Sequence, residues 1–241
     1  MSADSKPLYV YFGHHRCAST WILLVLMSVC DHMGIDIKKF AELNDDDLRT
    51  IGFIADTNAE QEHIQALRPF RGFHVIRDPR DIVVSAYFSH KYSHPMGEWL
   101  KEQRELLNQV NLEEGIKYSI NFRSNQFNRM GQWNYHLPNI YETKFEILTC
   151  ETYDEFSRIF RFLGLLPQRL SPRILEEILR HHSFKRLTEG RERGQEDSQH
   201  HYRKGIQGDW VKYFSEENKK YFKRHFGQML IDLGYEKNSS W

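Results

Sequence analysis

Apolar and polar positions fall into short blocks that repeat along the chain. Leu8 to Phe12 is a run of aromatic and apolar residues, followed by a polar turn containing Gly13 and then an apolar stretch, Trp21 to Met33, that predicts a buried helix. The order recurs at Gly72 to Ile76, a short strand meeting Arg77-Asp78-Pro79, where Pro79 suits the first turn of a helix running to about Lys91. Gly52 to Asn58 reads as a short strand ending in polar residues, and Glu98 to Tyr135 as two or more helices. A further strand is expected at Phe145 to Thr149, followed by a helix over Tyr153 to Leu163 whose Phe156, Ile159, Phe160 and Leu163 share one face. Strand, loop and helix in series predict an α/β fold, a single domain over residues 1–241 with a central parallel sheet and helices on both faces. Flexible ends are expected at 1–7 and 235–241.

From Leu187 to Gln207 the chain turns polar and charged, with glycines at 190, 194 and 205, which predicts a loop that orders on binding. Helix resumes near Ser215, an N-cap ahead of Glu216 and Glu217. The 33 Lys and Arg balance 33 Asp and Glu, which removes the electrostatic footprint of a nucleic-acid binder. Cys17, Cys30 and Cys150 lie far apart with no Cys-x-x-Cys pair, arguing against a disulfide scaffold or a cysteine-rich zinc site and fitting a reducing compartment. The start lacks a secretory pattern, and the longest apolar run, Trp21 to Cys30, is half of the ~20 residues a membrane span requires. A cytoplasmic protein is expected.

Three stretches carry candidate chemistry. Gly13-His14-His15-Arg16-Cys17-Ala18-Ser19-Thr20, between a strand and a helix, has the length and position of a phosphate loop. A nucleoside-triphosphate loop reads G-x-x-x-x-G-K-[ST], with the Lys on the phosphates and the hydroxyl on magnesium. Here Ala18 replaces the final Gly, Ser19 takes the Lys position, and the cation has moved to Arg16. Amides from Arg16 to Thr20, with the Ser19 and Thr20 hydroxyls, can cradle an oxyanion at the helix N-terminus. A helix-capping turn is the alternative. The second stretch is Arg77-Asp78-Pro79-Arg80-Asp81-Ile82-Val83-Val84-Ser85, where an Arg at a strand's carboxyl edge and a Ser two helical turns on can meet one phosphate from two sides. A self-neutralising surface turn is the alternative. The third, Tyr202-Arg203-Lys204-Gly205-Ile206-Gln207-Gly208-Asp209-Trp210, offers adjacent cations on a glycine-rich loop able to close over an anion, the alternative being a solvated basic loop.

Together the stretches resemble the sulfotransferases that use 3′-phosphoadenosine 5′-phosphosulfate (PAPS), over about Val10 to Phe226. The family's 5′-phosphosulfate loop, Lys-Ser-Gly-Thr-Thr-Trp, is matched by Arg16-Cys17-Ala18-Ser19-Thr20-Trp21. Its Arg-x-Pro-x-Asp-x-x-x-Ser segment for the 3′-phosphate is matched by Arg77 through Ser85, and its late Arg-Lys-Gly-x-x-Gly-Asp-Trp by Arg203 through Trp210 without change. A late Thr-Ser-Phe is approximated by His182-Ser183-Phe184. The resemblance implies a P-loop-like sulfotransferase architecture and in-line transfer of the sulfonyl group to a hydroxyl or amine of a small-molecule acceptor, leaving adenosine 3′,5′-bisphosphate (PAP) and using no metal. It implies that Arg16 stabilises charge on the departing phosphate and that the loop with Ser19 and Thr20 holds that phosphate. Arg77 and Ser85, closed from the other side by Arg203, Lys204 and Gly205, grip the 3′-phosphate. Trp21 and Phe184 sandwich the adenine, at roughly 1 to 3 kcal/mol per stacked face; a core tryptophan is the alternative role for Trp21.

Several positions depart from the family pattern. Arg16 stands where Lys is usual, which keeps the charge but makes the role electrostatic. The strand-end Tyr that touches adenine corresponds to Cys150. No His-Leu-Pro segment stands shortly after the second strand, where the family carries its general base, and Asp56 stands at about that place as candidate base, with His63, then His14 and His15, as alternatives and a helix N-cap as its other role. The histidine doublets at 14–15, 181–182 and 200–201 lack carboxylates at ligand spacing, so no metal is expected. The acceptor is expected over Ala86 to Trp99 and Tyr118 to Tyr141, both rich in aromatics. The rival readings are a small-molecule kinase, which requires magnesium and lacks its lysine here, and a nucleotide-binding protein without turnover.

Overall fold

The computed structural model describes residues 7–241; for residues 1–6 the expected flexible start lies outside the described residues. In chain order the elements are β1 (Leu8–Gly13), α1 (Ser19–Met33), β2 (Ile37–Lys39), α2 (Asp47–Thr50), β3 (Phe53–Asp56), β4 (Phe70–Ile76), α3 (Pro79–Phe88), α4 (Glu98–Gln109), α5 (Leu112–Phe122), α6 (Ser124–Gln132), β5 (Ile140–Lys144), α7 (Phe145–Cys150), α8 (Thr152–Phe162), α9 (Pro172–His181), α10 (Phe184–Leu187), α11 (Trp210–Tyr213) and α12 (Glu216–Asp232). Two compact units interleave along the sequence: Met1–Ile76 with Trp133–Arg186, and Arg77–Gln132 with Leu187–Trp241.

The first unit holds the sheet, five parallel strands in the order β2-β3-β1-β4-β5. All six residues of β1 are buried, which is why its apolar run does not alternate. Leu8, Val10 and Phe12 face a cluster with Ile54, Ile140 and Trp133, against which Phe40, Ile64 and Leu67 pack. Tyr11, on the other face, stacks on Phe73 at 5.0 Å. The register sets Phe12 opposite Asp56 in β3 and His74 in β4, and His74 opposite Glu142 in β5, a row of polar groups next to the carboxyl edge. α1 buries Ile22, Val25, Leu26 and Val29 and stops at Gly34, whose φ of 63° lets its amide reach the carbonyls of Asp31 and Cys30.

The strand expected at Phe145 to Thr149 is a correction: β5 is Ile140–Lys144, and the following residues form α7. Phe145 and Leu148 are buried while Ile147 is exposed, the three-residue spacing of a helix. β5 itself is poor in apolar residues because its polar side chains are partnered: Glu142 by His74 and Trp133, and Thr143 by Glu155 at 2.5 Å. β2, two of whose three residues are exposed, has too short a pattern to announce itself.

In the second unit α3 is buried along nearly its whole length. Asp78 caps it by accepting the Arg80 amide, with Pro79 in the first turn. The helix expected to reach about Lys91 leaves α-helical geometry after Phe88 and continues as a π-turn over Ser89–Ser93. Capping boxes start α5, from Asn111 and Glu114, and α12, from Ser215 and Asn218. In the tail over 235–241, Trp241 packs against Trp210 and Phe222, ring centroids 6.0 and 6.4 Å away.

Candidate active site

The first loop leaves β1 at Gly13 and enters α1 at Ser19. Two of its residues other than glycine, Arg16 and Ala18, take left-handed torsions, φ 67° and 65°. Each costs on the order of 1 kcal/mol, and such strain collects where a chain must aim its amides inward. The turn is braced from three directions. Gly13 carbonyl accepts the Ala59 amide at 2.9 Å, His14 carbonyl accepts the Cys17 amide at 3.1 Å and the Ser19 hydroxyl at 2.9 Å, and Ser19 Oγ in turn accepts Tyr11 OH at 3.3 Å. Ser19, expected as a donor to phosphate, holds the loop together in this arrangement. Cys17 is fully buried, Arg16 half-buried and Thr20 exposed.

Beneath the loop runs a chain of buried rings. His14 Nε2 meets His74 Nε2 at 2.9 Å, His74 Nδ1 meets Glu142 Oε2 at 2.7 Å, and Trp133 Nε1 donates to Glu142 Oε1 at 2.9 Å. Burial pushes His74 down to about 3 and Glu142 up to about 7, so the imidazole stays neutral beside a carboxyl group whose proton comes off near neutral pH. Asp56, at the end of β3, is 2% exposed; it accepts the Asn58 amide at 3.0 Å and lies 2.7 Å from His63 Nδ1. Burial raises its pKa against the opposing pull of those two bonds. The His63 side chain is 24% exposed and stacks on Phe40 at 4.0 Å.

The second and third stretches meet within the second unit. Arg77 Nη2 donates to the Ile206 carbonyl at 3.3 Å, and Asp81 accepts the amides of Gly208 at 2.7 Å and Trp210 at 2.9 Å. Gly205 and Gly208, at φ 68° and 73°, let the loop turn back on these partners. Arg80 is pinned by both Asp78 oxygens and by Glu236, its guanidinium 3.9 Å from the Trp210 ring centre and 4.7 Å from that of Trp241. Arg203 bonds Glu196 at 2.5 Å and also Asp209, whose other oxygen takes Lys204 at 2.6 Å. Ser85 lies on α3, half-buried.

Trp21 is buried, with its indole N–H on the His182 carbonyl at 2.9 Å and Phe156 edge-on at 5.5 Å. Phe184, which opens α10, is half-buried. Cys150, assigned to a strand end, is instead the exposed last residue of α7; β5 ends at Lys144. Among the described residues no group of three His, Cys, Asp or Glu side chains gathers for a metal ion, and no helix is long and apolar enough to cross a membrane.

A family model described as the sulfotransferase domain matches residues 70–234, more than half of the sequence. The chain belongs to the sulfotransferase domain family. The match takes in both arginine stretches and begins beyond the first loop. Solved structures with the same fold include a mouse sulfotransferase complexed with PAP, at TM-score 0.64 and 18% identity over 96% of this chain and 87% of that one. Two further ones are of retinol dehydratase, with androsterone and inactive cofactor PAP, and with retinol and PAP; both align at TM-score 0.58 and 16% identity over 94% of this chain and 82% of theirs. No curated protein matches by sequence. Sequence reasoning passed over several polar groups that the fold pairs: Asp81 and Asp209, inside quoted motifs, and His74, Glu142 and Glu196 outside them. Polar letters in otherwise apolar strands were the available signal for His74 and Glu142.

Proposed function

We propose that the protein transfers the sulfonyl group of PAPS to a hydroxyl or amine of a small, partly apolar acceptor. The observation that carries this reading is the junction of Arg77 and Asp81 with the 206–210 backbone, which sets three cations around one loop. Family membership across both stretches and a fold shared with proteins crystallised with PAP support it.

Arg77, Ser85, Arg203, Lys204 and Gly205 hold the 3′-phosphate. Arg16 and the amides of Cys17, Ala18, Ser19 and Thr20 hold the 5′-phosphate and stabilise the charge it gains as the S–O bond breaks. Phe184 stacks on the adenine, with Trp21 offering an edge, since its N–H is already given to His182. The acceptor oxygen attacks sulfur in line with the departing phosphate oxygen, which keeps the electron pair of the broken bond. The acceptor proton goes to the Asp56–His63 pair: Asp56 is too buried to meet an alcohol itself, and the imidazole it holds by Nδ1 takes the proton at Nε2, with Glu60 Oε2 3.7 Å from that nitrogen to balance the charge. Exposed Trp99 and Phe122, stacked 6.1 Å apart with 14° between their planes, support an acceptor with an apolar face.

Calorimetry with PAP, AMP and magnesium ATP tests the reading. PAP is expected to bind most tightly. Equal affinity for PAP and AMP overturns the 3′-phosphate assignment, and preference for magnesium ATP favours a kinase.

A further inference from the structure

Glu196 stands on the two cations that the proposed function gives to the 3′-phosphate. Its carboxylate takes Arg203 Nη1 at 2.5 Å, lies 3.7 Å from Lys204 Nζ, and accepts Tyr213 OH at 3.1 Å on each oxygen. It arrives on a separate arch. The Gly194 amide bonds the Lys204 carbonyl and the Asp197 amide the Arg203 carbonyl, each at 2.9 Å, so the arch pairs with the very residues its acid neutralises. Arg191 ties the same backbone, donating to the Arg203 and Tyr202 carbonyls at 2.8 Å each. Gly190 and Gly194 carry positive φ in open space, 114° and 95°.

Asp209 differs from Glu196 in kind. It sits on the cations' own loop with a side chain 4% exposed, a fixed counterion, whereas the Glu196 side chain is 25% exposed and can pass into water at small cost. With Asp81 3.9 Å from Arg77, each of the three cations faces a carboxylate, so an arriving dianion must compete with acids already in place.

We infer that Glu196 is an internal occupant of the 3′-phosphate site, displaced when the nucleotide binds and returning to speed release of the bisphosphate. The inference rests on the proposed function, and one experiment separates the two. PAP and AMP are titrated into the wild type and Glu196→Gln, and PAP dissociation is followed by stopped flow. In Glu196→Gln, PAP is expected to bind about 2- to 5-fold more tightly, the range a partly exposed ion pair commands, with slower release and AMP affinity unchanged. Tyr213→Phe, which frees Glu196 from one holder, is expected to move the same way by about 2-fold and keeps the test alive should the first variant fold poorly. Unchanged or weaker PAP binding in both variants overturns the inference while leaving the function standing. A wild type that does not distinguish PAP from AMP removes both.

Discussion

In the proposed function the first loop and the 203–210 loop both present positive character to an anion, and they are built from opposite materials. The first works through main-chain amides, which carry no counterion; its cost is torsional, two left-handed residues held by Tyr11, Ser19 and the Ala59 amide. The second works through side-chain charges, and Glu196, Asp209 and Asp81 shadow them. Fixed dipoles are ready before a ligand arrives, whereas mobile charges are first satisfied within the protein and must be released. One loop is strained and waiting; the other is relaxed and occupied.

This contrast can be broken from either side. The largest effect is expected from Arg16→Ala, which removes the first loop's only side-chain cation: turnover of PAPS on a panel of phenols and alcohols should fall about 10²- to 10³-fold, with PAP affinity by calorimetry changing only a few-fold. Arg77→Ala strips the second region instead, and PAP affinity should weaken about 10- to 100-fold while AMP is unaffected, the worth of charge-assisted bonds to a phosphate.

The support under the first loop is tested by pH. His74, at about 3 when folded against 6.5, gives stability that is present above pH 6.5 and lost as pH falls toward 3. Glu142, at about 7 against 4.5, gives a contribution present below pH 4.5 and lost as pH rises through 7. Between 4.5 and 6.5 the two slopes cancel, because both states gain one proton. Glu142→Gln leaves the His74 slope alone, so urea melts should lose about 1–2 kcal/mol between roughly pH 6.5 and 5 where the wild type stays flat. The smallest expected effect is from Ala18→Gly, which relieves one left-handed torsion but frees the unfolded chain: a gain of a few tenths to about 1 kcal/mol in thermal unfolding, with PAP binding kept.

What was legible in the sequence follows the same division. β1, α1, β4 and α3 were readable because their signals are local: apolar runs too continuous for solvent and caps at Asp78 and Pro79. The three stretches proposed to meet an anion stood out because their glycine, arginine and hydroxyl residues keep the spacing of the family's motifs. β5 was misplaced because a strand whose inner positions are Glu142 and Thr143 borrows its stability from His74, Trp133 and Glu155, distant in sequence. Asp56 was found as a candidate, but its bond to His63 was not, since seven intervening residue steps reveal no contact without the turn after β3. Glu196 lay within a stretch marked only as polar, charged and ordering on binding, and its meaning depends on the backbone pairing that carries it to Arg203.

The alanine at the mouth of α1 has an evolutionary reach. At position 18 the backbone angles, φ 65° and ψ 20°, define the turn, and the one-letter code does not. A text pattern insisting on glycine there is blind to this turn, whereas a filter for any small residue able to bend leftward would retrieve it.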